Sequence, residues 1–408
     1  MEFDADVIVV GGGLNGPALA LALAGAGMRV TVIDAQPARA RADAAFDGRA
    51  YALAIASKRL LQAIGVWGAV AGDTQPILKI SASDGRAGEG PSPHVLQFDS
   101  AELEEGPMGF MLEDRHLYAA FLAAMGNAPG LTHIPGTSVV AQRSLAAGME
   151  VTLGDGHSLT GRVLIGCDGR SSGTASRAGI TRTGRGYGQV ALVCAVTHAR
   201  PHHGIAHQFF MPSGPLAILP LTGNRSSIVW SESVESAQAI GALDDAAFLE
   251  ILRPRFGDFL GDISLAGPRF SYPLSLTLAD RYTAARLALV GDAAHGVHPI
   301  AGQGLNLGLR DVAALAEVLV GAKRRGEDIG ASDVLERYQS WRRFDATTLA
   351  LGMDGVNHLF SNDNQILRAG RDLGLGLVNR IAPLRRAFMR QAAGLSGQLP
   401  RLLTGQQL

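Results

Sequence analysis

The sequence contains only two cysteines, Cys167 and Cys194, in 408 residues. Two cysteines cannot form the disulfide framework of a small secreted fold, so this class is excluded and a reducing, intracellular setting is favoured. The chain also lacks an excess of charge of either sign, because 36 Lys and Arg stand against 37 Asp and Glu. A DNA-binding protein usually carries a strong basic excess, and we therefore expect no nucleic-acid partner.

Long apolar runs are missing as well. The run Ala18–Ala24 is too short to cross a bilayer, and no other window reaches a spanning length without Gly, Pro or charge. The first residues are acidic at Glu2, Asp4 and Asp6, where a secretory signal peptide would be basic. We expect a cytoplasmic protein that is soluble or at most attached to the inner face of the membrane.

Charge is unevenly distributed at the C-terminal end. Residues 365–408 contain seven arginines and one aspartate but no lysine or glutamate, which gives this segment a net charge of +6. Apolar residues are mixed with the arginines, a pattern typical of a basic amphipathic surface. Two interpretations remain open: contact with anionic lipid or a multi-enzyme complex, or docking on an acidic face of the same molecule or a sister subunit.

Hydrophobic residues make up 47% of the chain and charged residues 18%, so a well-buried core is expected over two or three intertwined domains. Asp6–Val10 and Arg29–Asp34 are predicted strands on either side of the predicted helix Asn15–Met28, which together form one βαβ unit. The other predicted elements are helices at Gly48–Trp67, Arg115–Met125 and Gly304–Arg325, hairpin-like strands around Gly154–Gly156, sheet strands over Val190–Trp230, a buried strand at Leu287–Val290 and further helix from Ser332.

The first motif is Gly11-Gly12-Gly13-Leu14-Asn15-Gly16, between the first strand and the first helix. Its glycines suit a tight turn, close approach of the backbone to a pyrophosphate, and close packing of helix and strand. The helix N-terminus then offers free N–H groups and a partial positive charge to the phosphates. Asp34 ends the second strand, where its carboxylate can accept hydrogen bonds from an adenosine ribose. Together these features predict a dinucleotide site.

Two further motifs favour FAD over NAD. Val163–Gly169 and Arg286–His295 are strand patterns that end in turns at Asp168 and Asp292. A carboxylate at a strand end can hold ribityl hydroxyls, which NAD does not have. The turn Gly302–Asn306 opens a helix whose N–H groups would stabilise the negative pyrimidine edge of a reduced flavin.

These segments resemble the FAD-binding motifs of the flavoprotein hydroxylases related to para-hydroxybenzoate hydroxylase. They resemble more closely those of the ubiquinone-biosynthesis hydroxylases, which act on 2-polyprenylphenol or 2-octaprenyl-6-methoxyphenol. The resemblance is carried by GDAAHGVHPIAGQGLNLGLRD at 291–311, by Asp47–Ala50 and by Gly214–Leu221, and it extends over essentially the whole chain. One departure follows Asp168, where the spacing between Ser172 and Arg177 differs from the family pattern.

The resemblance implies an α/β fold with a Rossmann-type FAD-binding domain formed by 1–74, 108–178 and 277–345. An inserted mixed β-sheet substrate domain would comprise 75–107 and 179–276, and 346–408 would form a helical C-terminal region. The implied FAD contacts are Gly11, Gly13, Leu14, Asn15 and Gly16 at the pyrophosphate, Asp34 at the ribose, Val139 at the adenine, Arg49 and Arg115 along the phosphate and ribityl region, Asp168 near the flavin, Asp292 at the ribityl chain, and Pro299, Gly302, Gly304, Leu305 and Asn306 at the isoalloxazine.

The activity implied is aromatic-ring hydroxylation of a polyprenylated phenol through a flavin C4a-hydroperoxide, with tightly bound FAD and O₂. No second GxGxxG unit is present, so NAD(P)H is expected to bind transiently. No residue stands out as a catalytic base. The alternatives are another FAD-dependent oxidoreductase, such as an epoxidase or polyprenyl reductase, and a non-catalytic FAD-binding scaffold in a lipid-biosynthesis complex.

Several residues permit a structural interpretation beside a functional one. His295 and His298 flank the third motif, but no set of ligands completes a metal site, and packing or hydrogen bonding is favoured. Trp230, Phe209 and Phe210 either line an aromatic pocket or pack in the core. Cys167 is expected to fill a buried space, and His202 is expected to be solvated in a loop.

Overall fold

The computed structural model describes residues 2–38, 48–88, 90–102, 104–297, 302–343 and 381–408. Within these ranges the helices are α1 (Asn15–Gly25), α2 (Ile55–Ala63), α3 (Trp67–Val70), α4 (Asp114–Asn127), α5 (Gly173–Arg177), α6 (Val234–Gly241), α7 (Asp245–Phe256), α8 (Gln303–Arg324), α9 (332–343) and α10 (Ala382–Ala392). Short 3-10 turns occupy Ala71–Asp73, Ser100–Glu102, Gly291–Ala293 and Arg401–Thr404.

The strands fall into three sheets. Their bounds are β1 (Ala5–Val10), β2 (Val30–Asp34), β3 (Ala50–Ala54), β4 (Gln75–Ile77), β5 (Lys79–Arg86), β6 (Gly90–Asp99), β7 (Gly109–Glu113), β8 (Leu131–Pro135), β9 (Val139–Ser144), β10 (Met149–Leu153), β11 (Ser158–Gly166), β12 (Arg182–His198), β13 (Ile205–Met211), β14 (Gly214–Leu221), β15 (Arg225–Ser233), β16 (Ile263–Leu265), β17 (Phe270–Ala279), β18 (Thr283–Ala284), β19 (Leu287–Leu289) and β20 (His295–Gly296).

The first sheet has the order β18-β19-β11-β1-β2-β8, in which β19, β11, β1, β2 and β8 are mutually parallel. β9 and β10 extend it by antiparallel pairing from the first half of β11. Apolar β-branched residues dominate β1 and β2 because both faces of these strands are buried. The main core lies between this sheet and helices α1, α4 and α8.

The second sheet has the order β20-β17-β12-β15-β14-β13-β5-β6, with β16 paired to β12. One of its faces is covered by Phe248, Leu252 and Phe256 of α7 and by Ala237 and Ile240 of α6. The small third sheet, β3-β7-β4, contacts β14 of the second sheet through β4 and β7. The α/β fold is confirmed, whereas the domain limits given above stay a prediction.

One predicted element is wrong in part. Helix was predicted over Gly48–Trp67, but Ala50–Ala54 forms strand β3 and the helix begins at Ile55. The sequence AYALA has good helix formers, yet it pairs with β7 from Ala50↔Glu113 to Ala54↔Gly109. Tertiary pairing therefore overrides local propensity in this segment. The part of the predicted C-terminal helix at 344–380 lies outside the described residues.

Candidate active site

The three sequence motifs meet at one edge of the first sheet. Val10, the last residue of β1, is in register with Gly166 at the end of β11 and with Ile33 near the end of β2. Gly166 is in turn in register with Leu289, the last residue of β19. The segments that follow these strands therefore leave the sheet side by side. This edge, formed by the carboxyl ends of parallel strands, is where α/β sheets bind their ligands.

The glycines of the first motif are required by close packing at this edge. Gly11 has a φ of 110°, and a Cβ there would come within 2.3 Å of the carbonyl oxygen of Cys167. A Cβ on Gly16 would come within 2.0 Å of the carbonyl oxygen of Gly11, and one on Gly12 within 2.3 Å of Asp34 Oδ2. Gly13 and Asn15 are partly exposed and alternate with buried Gly12 and Leu14. Together with Gly11, they are the motif residues that remain partly accessible at this edge.

Two helices begin at this edge without side-chain caps. The N-cap of α1 is Leu14 and that of α8 is Gly302, and neither helix has an acidic residue in its first turn. Gly302 adopts the left-handed conformation with a φ of 62°. Uncapped first-turn N–H groups and the helix dipole attract negative groups. One such terminus suits a pyrophosphate and the other the pyrimidine edge of a flavin.

Asn15 joins the first motif to the third. A Cβ on Gly291 would lie 2.2 Å from Asn15 Nδ2, and a Cβ on Gly308 would lie 2.4 Å from it. Both glycines thus leave room for one amide side chain between α1 and α8. Asn15 Oδ1 is buried and has no hydrogen-bond partner among the described residues.

The two arginines of the predicted phosphate and ribityl region are held by consecutive carboxylates at the β7–α4 junction. Arg49 lies 3.1 Å from Asp114 Oδ2, and Tyr51 donates a hydrogen bond to Asp114 Oδ1 at 3.0 Å. Arg115 Nε donates to Glu113 Oε2 at 2.7 Å. Because Asp114 is fully buried, it can fix Arg49 firmly while that guanidinium stays about one third exposed.

Arg225 is a member of this group that sequence reasoning missed. It lies on β15 of the second sheet and donates from Nη2 to Glu113 Oε1 at 2.8 Å. Glu113 therefore accepts hydrogen bonds from Arg115 on α4 and from Arg225 on β15, and it is itself buried. The 112 residues between the partners leave no local signal in the sequence.

Asp292 lies at the same edge and is paired with Arg170, which was also missed. Arg170 Nε donates to Asp292 Oδ2 at 3.0 Å, and its Nη2 donates to the carbonyl oxygen of Val297 at 3.0 Å. The second and third motifs are thus joined by one guanidinium. Asp292 remains partly exposed beside Arg170.

Asp168 is engaged within its own loop. Ser172 Oγ donates to Asp168 Oδ1, and the backbone N–H of Thr174 donates to Oδ2 at 2.9 Å. Ser172 in turn accepts from the N–H of Ala175 and caps α5. The unusual spacing places Arg177 against Gln142 Oε1 at 3.1 Å. The structure gives Asp168 a role in shaping the loop, and its contact with a flavin stays a prediction.

Asn306 ties α8 to the third sheet. Its Oδ1 accepts from the N–H of Ala54 and from Ser57 Oγ, and its Nδ2 donates to the carbonyl oxygens of Ala52 and Gly302. All of its hydrogen-bonding capacity is used internally, so it orients the turn before α8. Gly304 has open space where a Cβ would be, and Leu305 is partly exposed. Pro299, predicted beside the isoalloxazine, lies outside the described residues, as does His298.

A backbone hydrogen bond brings the segment before Val139 to Asp34 at this edge. The N–H of Thr137 donates to the carbonyl oxygen of Asp34 at 2.9 Å, and β9 begins two residues later at Val139. Asp34 Oδ1 accepts from the N–H of Gln36 at 3.1 Å. The start of β9 at Val139 is thus tied to the end of β2 at Asp34.

A buried network of hydrogen bonds supports the third motif. Asp311 Oδ2 accepts from the N–H of Gly291 at 3.0 Å and contacts His295 Nε2, and Oδ1 accepts from Arg342 Nε at 2.8 Å. Burial raises the pKa of Asp311, but His295 and Arg342 together hold this pKa below its usual range. His295 thus has the hydrogen-bonding role that the sequence favoured.

The residues present fit FAD. They combine an uncapped helix start for a pyrophosphate, a carboxylate at the end of β2, arginines at the β7–α4 junction and a second uncapped helix start, all at one sheet edge. The family described as FAD binding domain matches residues 4–350.

The chain belongs to the FAD-dependent hydroxylases. Ubiquinone hydroxylase UbiL of Rhodospirillum rubrum is 47% identical over 407 residues, which cover 99% of this chain and 94% of that protein. The 3-demethoxyubiquinol 3-hydroxylase of Escherichia coli is 37% identical over 96% of this chain and 98% of its own length. The expected cofactor, FAD, and the expected class of enzyme, a monooxygenase, are confirmed.

The solved structures agree on the fold of this hydroxylase. The crystal structure of p-nitrophenol 4-monooxygenase PnpA from Pseudomonas putida matches with a TM-score of 0.80. The match covers 98% of this chain and all of that one, at 20% sequence identity.

An apolar cluster joins the second and third sheets of the hydroxylase. It includes Met108, Met111, Leu221 and Met389 and contacts Ala52, which lies beside Gly302. Trp230 and Phe209 instead pack under α6 and α7 on the other face of the second sheet. Trp230 donates from Nε1 to Glu232 at 3.0 Å. Core packing is therefore the correct interpretation for both rings.

The remaining candidates have structural roles. Phe210 packs with Ala82 and Leu96. Burial raises the pKa of the Cys167 thiol and, to about 12, that of Cys194, so both are uncharged at neutral pH. His202 was expected to be solvated, but it is buried and bonds to the carbonyl oxygen of Leu221. Across the described part of the chain, no cluster of His, Cys, Asp or Glu could hold a metal ion, and no helix could span a membrane.

Proposed function

We propose that this hydroxylase inserts one oxygen atom of O₂ into the ring of a polyprenylated phenol in ubiquinone biosynthesis, with NAD(P)H as electron donor. The observation that carries the proposal is the 47% identity to a ubiquinone hydroxylase over nearly the whole of both chains. A second relative with 37% identity is a 3-demethoxyubiquinol 3-hydroxylase. We place the enzyme in the cytoplasm, where it would meet its substrate at the inner face of the membrane.

FAD would lie along the edge of the first sheet. The pyrophosphate would be held by the N–H groups of Gly13, Leu14 and Asn15 at the start of α1, with Gly11 and Gly16 allowing the close approach. Asp34 would bind the ribose, Val139 the adenine, Arg49 and Arg115 the phosphates and ribityl region, and Asp292 the ribityl hydroxyls. Asp168 would border the flavin through its loop, and Pro299, Gly302, Gly304, Leu305 and Asn306 would border the isoalloxazine.

When bound, FAD supplies the redox chemistry, because it accepts electrons from NAD(P)H and activates O₂, which no side chain of the protein can do. The chain's own contribution is electrostatic and steric. The uncapped N–H groups of α8 would stabilise negative charge at the pyrimidine edge. The apolar cluster with Met108, Met111 and Leu221 would exclude water and orient the ring of the substrate.

In the proposed reaction the electron-rich aromatic ring is itself the nucleophile, so no side-chain nucleophile is required. Two buried carboxylates among the described residues are already paired within the protein. Asp311 is held by His295 and Arg342, and Glu113 by Arg115 and Arg225. We therefore assign these groups to positioning rather than to proton transfer.

The proposal is tested by mass spectrometry of lipid-soluble phenols and quinones from cells that lack the gene. We expect a prenylated phenol that lacks one hydroxyl group to accumulate, and the wild-type gene to restore the quinone. An unchanged quinone pool in cells without a second homologue would remove the ubiquinone assignment. Accumulation of an unepoxidised or unreduced prenyl chain would instead indicate an epoxidase or a polyprenyl reductase.

A further inference from the structure

A cleft lies between the β9–β10 hairpin and strands β18 and β19 of the first sheet. Both pairs of strands meet the same edge of β11, since Met149 is in register with Gly161 and Leu287 with Leu164, while β1 occupies the other edge. Arg177, at the end of helix α5, also lines the cleft. The volume of the cleft is about 460 Å³, within the range typical of pockets that bind small molecules.

Two arginines that line this cleft have no acidic partner. Arg177 Nε donates to Gln142 Oε1 at 3.1 Å, and Arg281 Nη2 donates to the carbonyl oxygen of Gly179 at 2.9 Å. Both acceptors are neutral, and neither guanidinium forms an ion pair within the described part of the chain. The described residues that line the cleft include no aspartate or glutamate. The cleft therefore presents two positive charges whose donor groups match the geometry of a carboxylate or a phosphate.

Arg177 has no role in the proposed FAD site, and it follows Ser172 at a spacing that differs from the family pattern. Partial burial lowers the pKa of its guanidinium, and the charge of Asp168 only partly opposes this effect. The two carboxylate oxygens of Asp168 accept from Ser172 Oγ and from the N–H of Thr174 instead of from Arg177. A bound anion would supply the negative charge that the protein does not place against this arginine.

We propose that this cleft is a second ligand site, which binds a small organic anion with an apolar body. The carboxylate or phosphate group of the ligand bonds to Arg177 and Arg281, and Ser144 adds a hydroxyl group to the polar part of the lining. Met149, Leu287 and three alanines form the apolar part and pack against the body of the ligand. Since none of the predicted FAD contacts lines the cleft, FAD and this ligand can be bound at the same time.

The test is calorimetric titration of the FAD-loaded enzyme with two probes, 2-naphthoate as an aromatic carboxylate and adenosine monophosphate as a nucleotide phosphate. We expect saturable binding of at least one probe, and the probe that binds identifies the kind of anion. Arg177→Gln and Arg281→Gln should each weaken this binding at least about tenfold, because each removes hydrogen bonds between charged groups. Ala285→Trp should weaken it by filling the cleft without a change of charge. The matched controls are Arg253→Gln and Ala246→Trp, at exposed positions on α7, and they should bind like the wild type.

The proposal would be overturned if neither probe bound saturably up to about 10 mM. Equally tight binding of 2-naphthalenemethanol, which has the same rings without the charge, would overturn it as well. So would binding that the cleft variants leave unchanged, because the probes would then occupy another part of the protein. FAD content and the melting temperature of each variant confirm that it is folded, and Ala285→Trp decides alone if the arginine variants fold poorly. The titration needs no turnover, so its outcome is independent of the proposed hydroxylation.

Discussion

Arg170 donates a hydrogen bond to Asp292 at 3.0 Å and so joins two motifs that lie 122 residues apart in sequence. The same guanidinium bonds to the carbonyl oxygen of Val297, in the loop that leads towards α8. The side chain that directly follows the second motif therefore helps to set the position of the third. Arg170 thus holds Asp292, the carboxylate that we assign to the ribityl chain, in a fixed position.

The variant Asp292→Ala should lose FAD. It removes both the proposed acceptor for ribityl hydroxyls and the partner of Arg170, and we expect retention of FAD through gel filtration to fall at least about tenfold, because hydrogen bonds to a charged group contribute roughly 1.5–3 kcal/mol. The flavin absorbance per protein measures this. Asp280→Ala, an exposed aspartate outside the motifs, is the control. Wild-type flavin content in Asp292→Ala would refute the placement of the site.

Gly304→Ala should separate cofactor binding from folding. A Cβ at this position meets nothing within 4 Å in the protein, and alanine favours a helix over glycine by about 1 kcal/mol. We therefore expect the melting temperature of the variant apoprotein to equal or exceed that of the wild-type apoprotein. The affinity for FAD should fall, because the methyl group occupies the proposed flavin space.

Gly321→Ala on the same helix is the matched control, since its Cβ would meet only the flexible end of Arg325 at 3.2 Å. Calorimetry of both apoproteins and titration with FAD give the two quantities. Unchanged FAD affinity in Gly304→Ala would place the flavin elsewhere.

Much of the fold follows from sequence because its signals are local. The run of β-branched residues in β1, the glycines of the first motif and Asp34 at the end of β2 are all read within one βαβ unit, and the structure places them as expected. The turn at Gly154–Gly156 likewise joins β10 to β11. Strand β3 escaped prediction because its partner, β7, lies about 60 residues away and its own residues favour helix.

Long-range partners in the site could not be predicted for the same reason. Nothing near Glu113 in sequence indicates that Arg225 completes its hydrogen bonds. In the sequence, Gly308 is an ordinary helix position. Only the structure indicates that the amide of Asn15 packs against it. The core position of Trp230 also depends on which face of the second sheet carries α6 and α7, and alternation alone does not decide that.

Arg225→Met should weaken both stability and cofactor binding. Loss of this guanidinium leaves the buried Glu113 with Arg115 as its nearest remaining arginine, and we expect the free energy of unfolding to fall by about 1–3 kcal/mol. Arg115 should then be less well oriented towards the phosphates, which raises the Kd for FAD. Urea unfolding and FAD titration measure the two effects. Arg253→Met, exposed on α7, is the control, and equal behaviour of the two variants would contradict this role for Arg225.

His207 should make the protein less stable in mild acid. Burial lowers the pKa of His207 to about 4, whereas an exposed histidine has a pKa near 6.5. Between these values the unfolded chain binds a proton that the folded chain does not, so stability from this residue is present above pH 6.5 and is lost as pH falls towards 4. From pH 7 to pH 5 the loss should be about 2 kcal/mol.

The variant His207→Gln isolates this contribution. We expect its free energy of unfolding to depend less steeply on pH over that interval, as measured by urea unfolding at each pH. Parallel pH profiles for wild type and variant would mean that His207 titrates normally in the folded protein. Its ring, whose centroid lies 4.5 Å from that of Phe259, would then be open to water.

The most direct test of the central claim is to supply the purified FAD enzyme with NAD(P)H, a prenylated phenol and oxygen-18 gas, and to determine the mass of the product. The account predicts a product that carries one additional hydroxyl group with one oxygen-18 atom, formed in step with NAD(P)H consumption. An unlabelled product, or NAD(P)H consumption that yields only hydrogen peroxide with every prenylated phenol tried, would contradict it.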